Sequence, residues 1–173
     1  MKYFHSHCVN GISITAAGYK LTGVRLGDWQ LSTERDCDQS KYVERCSEPY
    51  REYSVEETYP HEDYDPNSDN QHNDIALLRL SEKIDKFTLF ITPICLPLED
   101  SLRYNDLTQQ RMIVTGWGSA SKLARSDIKQ KVYVKGVGLE KCQVTYTNQS
   151  RSLTSSQICA GGEVWQDSCI GDR

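Results

Sequence analysis

The stretch Lys129-Gln130-Lys131-Val132-Tyr133-Val134-Lys135-Gly136-Val137 decides the fold class. Polar and apolar residues alternate along it, so Val132 and Val134 fall on one face of an extended chain. Four further candidate strands are Lys20–Leu26, Glu52–Tyr59, Ile75–Leu80 and Arg111–Gly116. Between them lie polar segments rich in Asp, Asn and Ser. The segment Asp63–Asn73 is acidic and reads best as a solvated surface loop. Leu139–Tyr146 can form one short helix. Many short strands with frequent turns predict an all-β barrel or sandwich. Ile113, Val114, Val132 and Val134 are the side chains such a sheet would cover. No internal repeat or low-complexity linker divides the chain. Its 173 residues suit one domain, although they are few for a barrel of roughly 200–250.

Lys plus Arg number 20 and Asp plus Glu 24, for a net charge of −4. That balance excludes nucleic-acid binding through bulk positive charge. No stretch approaches the roughly 18 apolar residues of a membrane-spanning helix. Met1–His7 has one Lys followed by aromatic and histidine residues, without the apolar run of a secretion leader.

The seven cysteines are Cys8, Cys37, Cys46, Cys95, Cys142, Cys159 and Cys169. No pair is spaced C-x-x-C and no histidine pair has zinc-ligand spacing, which argues against a structural zinc site. Cysteines scattered in this way point to disulfides and an oxidising compartment. The alternative is seven buried thiols in a cytosolic protein. The odd count leaves at least one without a partner in this chain. One N-x-S sequon, Asn148-Gln149-Ser150, adds a little to the extracellular reading.

Three pieces carry chemistry: His7-Cys8-Val9-Asn10, Asn73-Asp74-Ile75-Ala76-Leu77-Leu78, and Asp167-Ser168-Cys169-Ile170-Gly171-Asp172. In the same order run Ile94-Cys95-Leu96-Pro97, Thr115-Gly116-Trp117-Gly118 and Ile158-Cys159-Ala160-Gly161-Gly162. Together they resemble the trypsin-like, chymotrypsin-fold serine endopeptidases of peptidase family S1, over nearly all of the chain. The loop from Cys37 to Cys46, after Val24-Arg25-Leu26-Gly27-Asp28-Trp29, is similar to the arthropod clip-domain branch.

The resemblance implies two antiparallel six-stranded-type β-barrels, incomplete at both termini. Residues 1–173 then read as a partial peptidase domain, with no separate clip domain. It also implies roles. A hydroxyl nucleophile is weak at neutral pH and needs an adjacent base, which an imidazole supplies. A buried carboxylate holds that imidazole in the right tautomer. His7 matches the base and Asp74 the orienting acid; His5, His61 and His72 have no such context. Asp167 matches the acid of the specificity pocket, which implies cleavage after Arg or Lys. Gly171 matches an oxyanion-hole donor. Asp172 matches the acid that receives a new amino terminus on activation. The family pattern pairs Cys142 with Cys159, the added loop pairs Cys37 with Cys46, and Cys8, Cys95 and Cys169 are left over.

The chain departs from the family at Arg173, where the nucleophilic Ser belongs. The family's Ile-Val-Gly-Gly-type start, the strand before His7 and the last strands of the second barrel are also missing, so the chain reads as an internal fragment. Two functions follow from the resemblance. One is an extracellular endopeptidase acting on a protein substrate and open to a serpin-type inhibitor. The other is a non-catalytic homologue that binds or regulates a cascade partner. No cofactor is implied. Asp28 and Glu48 flank the Cys37–Cys46 loop and could approach a calcium ion, but two acids fall short of its six to eight oxygens, and solvated acids are the better reading.

Overall fold

The structure is a computed structural model and describes residues 21–38, 44–118 and 126–162. The described residues form two units. One contains residues up to 61, 75–94 and 127–129. The other contains 62–74, 95–126 and 130–162.

In the first unit, β1 (Gly23–Leu26), β4 (Arg51–Pro60) and β5 (Ala76–Leu80) make an antiparallel sheet in the order β1-β4-β5. Alternation sets its faces: Ala76 and Leu78 are buried while Leu77 between them is exposed. In β4 the pattern changes phase. Tyr53 and Val55 turn inward, the register shifts between Val55 and Glu57, and beyond it Thr58 turns inward instead. One extra residue in a strand has this effect, because side chains alternate with a period of two. Leu26, Tyr53 and Ile91 form the core, with Val24, Leu80 and Ile84 against them. Ile91 is delivered by a turn in which the Thr88 hydroxyl accepts from the amides of Phe90 and Ile91, both at 3.1 Å. Gly27, at φ +80°, passes so close that a Cβ there would lie 2.9 Å from the Ile91 side chain.

Two short strands, β2 (Cys37–Asp38) and β3 (Arg45–Cys46), pair antiparallel with Cys37 opposite Cys46. Neither is long enough to show periodicity, and neither is expected from the sequence. A disulfide joins Cys37 to Cys46. Beside it, the Ser47 amide donates to the Asp36 carbonyl at 2.7 Å and the Asp36 amide to the Ser47 hydroxyl at 3.1 Å. The Asp36 carboxylate accepts from the amides of Trp29 (2.8 Å) and Gln30 (3.1 Å) and from the Thr33 hydroxyl (2.8 Å). The hairpin therefore stands on a hydrogen-bonded base.

Residues 127–129 complete this unit. Gln30 and Ile128 form an isolated antiparallel bridge, and the Lys129 amide donates to the Trp29 carbonyl at 2.8 Å. The Asp127 carboxylate accepts from the Ser32 hydroxyl (2.7 Å), the Ser32 amide (2.9 Å) and the Gln30 amide group (3.0 Å). These donors, the Ser32 hydroxyl foremost, hold its pKa below the ordinary carboxylate value. Its contribution is thus complete above the ordinary range near pH 3.9 and is lost as pH falls through the lower folded value. Asp127→Asn is expected to lower the melting temperature at pH 7. The gap from the parent is expected to close in melts taken down through the lowered folded value, where the parent carboxylate protonates.

In the second unit, β6 (Arg111–Gly116), β7 (Gln130–Val137) and β8 (Cys159–Ala160) form an antiparallel sheet in that order. Val134 is buried, and Val114 and Val132 are half-buried. Ile113 is 57% exposed, a correction to its place among the covered residues. It neighbours Val114 in the strand and so points to the opposite face. The helix α1 (Asp100–Arg103) is a single turn. The longer α2 (Leu139–Thr147) runs one residue past the expected helix. A disulfide from Cys142 to Cys159 ties it to β8. Gln143 fixes the chain beyond it, donating to the Arg151 carbonyl at 3.0 Å and accepting from the Leu153 amide at 2.7 Å.

Among the described residues these are two open three-stranded sheets and one hairpin, with no closed barrel. No helix among them is long and apolar enough to cross a membrane.

Gly136 is the tightest point. It pairs with Ala160 in β8 and bridges Thr108 in parallel, with its carbonyl accepting from Gln109 and its amide donating to Gln110, both at 2.9 Å. A Cβ here would lie 1.9 Å from the Leu107 carbonyl oxygen. Backbone cannot swing aside as a side chain can. Gly136→Ala is expected to cost about 3 kcal/mol, the upper end of overpacking changes. Gly138→Ala, whose Cβ meets only the Thr108 hydroxyl at 3.5 Å, should cost under about 1 kcal/mol. Urea unfolding of the oxidised protein compares the two.

Candidate active site

Asp74 is half-buried and lies directly before Ile75 and β5. The polar loop of residues 62–74 brings the chain to it through a series of local hydrogen bonds. The Asp65 carboxylate accepts from the Asn67 amide at 2.9 Å, an Asx turn. The Ser68 carbonyl accepts from the Gln71 side chain at 2.6 Å. Gln71 and Asn73 take positive φ, 52° and 60°; the short polar side chain of Asn tolerates that region well. The Asn73 side chain then donates to the Asp63 carbonyl at 3.3 Å.

Ser152 pins the loop from outside. Its amide donates to Asn70 Oδ1 at 2.7 Å, and its carbonyl accepts from His72 Nε2 at 2.7 Å. That contact puts the proton of neutral His72 on Nε2. His72, without catalytic context in the sequence, thus has a structural partner. No sequence pattern links residue 152 to this loop.

His7, Asp167, Gly171 and Arg173 lie outside the described residues, as do Cys8, Cys169 and Asp172. Asp74 and the four cysteines of the two disulfides lie within them. Cys95 is exposed and unbridged.

Both acids weighed for calcium face cations. Asp28, its side chain 3% exposed, pairs with Arg25 at 3.0 Å. Arg25 also reaches Glu52 at 3.0 Å and lies 3.8 Å over the Tyr50 ring. Its pKa is raised, by Asp28 first and Glu52 second. Glu48 faces Arg51 at 3.5 Å and Lys86 at 3.9 Å. Cys37, Glu44 and Cys46 come together as a metal site would require, but the two sulfurs are consumed in a disulfide and offer no thiolate.

A profile of the family described as Trypsin matches residues 6–173. The chain belongs to the trypsin family.

It is 44% identical over 167 residues to the CLIP domain-containing serine protease HP8 of Bombyx mori, covering 96% of this chain and 44% of that protein. It is likewise 44% identical over 168 residues to serine protease ea of Drosophila melanogaster, covering 96% of this chain and 42% of that protein. The chain therefore spans somewhat under half the length of these relatives. The crystal structure of the Drosophila Grass clip serine protease of the Toll pathway superposes with a TM-score of 0.71 at 33% identity, covering 92% of this chain and 42% of that one. The fold of this trypsin-family chain is accordingly trypsin-like, mostly β with few helices, and its relatives are insect clip-domain serine proteases.

Proposed function

We propose that residues 1–173 form part of one peptidase domain of a clip-type protease that cleaves extracellular protein substrates after Arg or Lys. The carrying observation is the trypsin-family match over residues 6–173, which contains Asp74 at the lead-in to β5. His7 acts as general base and then acid, Asp74 orients it, Gly171 donates to the oxyanion, and Asp167 pairs with the basic side chain of the substrate. The chemistry needs no cofactor. Two disulfides support an oxidising, extracellular setting. Protein partners follow from the same reading: a cascade substrate, and a serpin-type inhibitor that presents a basic residue to Asp167.

A specific observation favours a second reading for this polypeptide. Arg173 stands where the family resemblance puts the nucleophile. A chain with that residue binds a substrate or cascade partner without turning it over, so it acts as a non-catalytic homologue.

The test is a chimera in which this chain, carrying Arg173→Ser, is completed at both ends by the matching segments of an active relative. It is expected to hydrolyse Arg and Lys esters in preference to apolar ones. Asp167→Ser removes the proposed partner of the substrate cation, a loss of about 3–5 kcal/mol or roughly 10²–10⁴ in kcat/KM on basic substrates. An Arg preference that survives Asp167→Ser overturns the assigned role.

A further inference from the structure

We propose that Asn148 is a site of N-linked glycosylation. This inference concerns a face of the second unit that the peptidase reading leaves without a role, and it does not rest on that reading.

The sequon Asn148-Gln149-Ser150 has a middle residue other than proline, as the acceptor motif requires. Asn148 caps the C-terminus of α2, and all three sequon residues are exposed. The helix closes in a tight turn. The Gln149 amide donates to the Tyr146 carbonyl and the Ser150 amide to the Thr147 carbonyl, both at 2.9 Å, and Ser150 takes φ 59°. The turn satisfies the backbone and leaves the side chains out. Among the described residues, neither the Asn148 amide nor the Ser150 hydroxyl makes a side-chain hydrogen bond, so a sugar on Nδ2 breaks nothing in the fold.

Two independent observations agree. The Cys142–Cys159 disulfide encloses the sequon and forms in the compartment where glycans are transferred. Val144 lies four residues before Asn148 on the same helix face, and it is 67% exposed. A glycan on Asn148 lies over that apolar side chain and shields it.

The donor is an oligosaccharide linked through a diphosphate to a membrane lipid, and an oligosaccharyltransferase is the catalyst. Asn148 Nδ2 attacks C1 of the first N-acetylglucosamine. The Nδ2–C1 bond forms, the bond from C1 to the diphosphate oxygen breaks, and the lipid diphosphate leaves with that electron pair. The amide nitrogen gives up one proton to a base of the transferase.

The chain is expressed behind a secretion leader in insect cells, and retained and secreted protein are pooled, because transfer precedes folding. Peptide-N-glycosidase in heavy-oxygen water is expected to convert Asn148 into labelled aspartate and remove one mobility shift. Asn148→Gln and Ser150→Ala should each lose that shift, and Ser150→Thr should keep it. A predominantly unmodified Asn148 peptide, or a shift that survives both removing variants, overturns the proposal.

Discussion

Purified as the 173-residue chain, the protein is expected to hydrolyse Arg and Lys esters no faster than buffer. A guanidinium is protonated at neutral pH and has no lone pair to offer a carbonyl carbon. His7, on the proposed role, then has no hydroxyl proton to take. Loss of the nucleophile from a comparable triad costs on the order of 10⁶ in kcat. Within the chimera the comparison needs one residue: Arg173→Ser is expected to turn on a rate that the otherwise identical Arg173 protein lacks. Turnover by the unaltered chain that a serine-directed inhibitor blocks would sink the non-catalytic reading. A chimera that stays silent with Ser at 173 would sink the alignment of the Asp167–Asp172 segment.

The second large effect is at Asp74. In the active chimera, Asp74→Asn is expected to lower kcat by about 10⁴ while leaving KM nearly unchanged. The amide presents a donor where the imidazole N–H needs an acceptor, so the histidine is held in the wrong tautomer. Asn has nearly the shape of Asp, so the substitution removes the charge and keeps the volume. A thermal melt of the same protein separates a chemical effect from a folding one. A loss of kcat under about tenfold would remove Asp74 from the proposed triad.

The sequence was legible where a pattern ran long enough. Val132 and Val134 turn to one face of β7, and Ala76 and Leu78 share the buried face of β5. Boundaries moved by a residue or so: β5 begins at Ala76 instead of Ile75, and β7 at Gln130 instead of Lys129. β1 begins at Gly23, and the expected start at Lys20 lies outside the described residues. Two-residue strands carry no period, so β2, β3 and β8 could not be read. Ile113 was misplaced because apolar character alone does not tell which face of a strand is covered. The place of Asn73-Asp74 at the lead-in to an apolar strand was legible, and the contacts that support the loop were not. Ser152 and Asp127 hold their loops through contacts between residues distant in the chain, and nothing local distinguishes Asp127 from the other acids.

The return of residues 127–129 to the first unit has a consequence for biosynthesis. Asp127 follows Gln30 by 97 residues and Ser32 by 95. At roughly 5–20 residues per second, the ribosome delivers Asp127 about 5–20 s after Gln30 and Ser32. Through that interval the Trp29 carbonyl and the amides of Leu31 and Ser32 await partners that are still being translated. The neighbouring hairpin is closed by a disulfide between residues only nine apart, so it can lock long before. On the proposed extracellular route, the first unit enters an oxidising compartment with one corner latched and another open for a window of seconds.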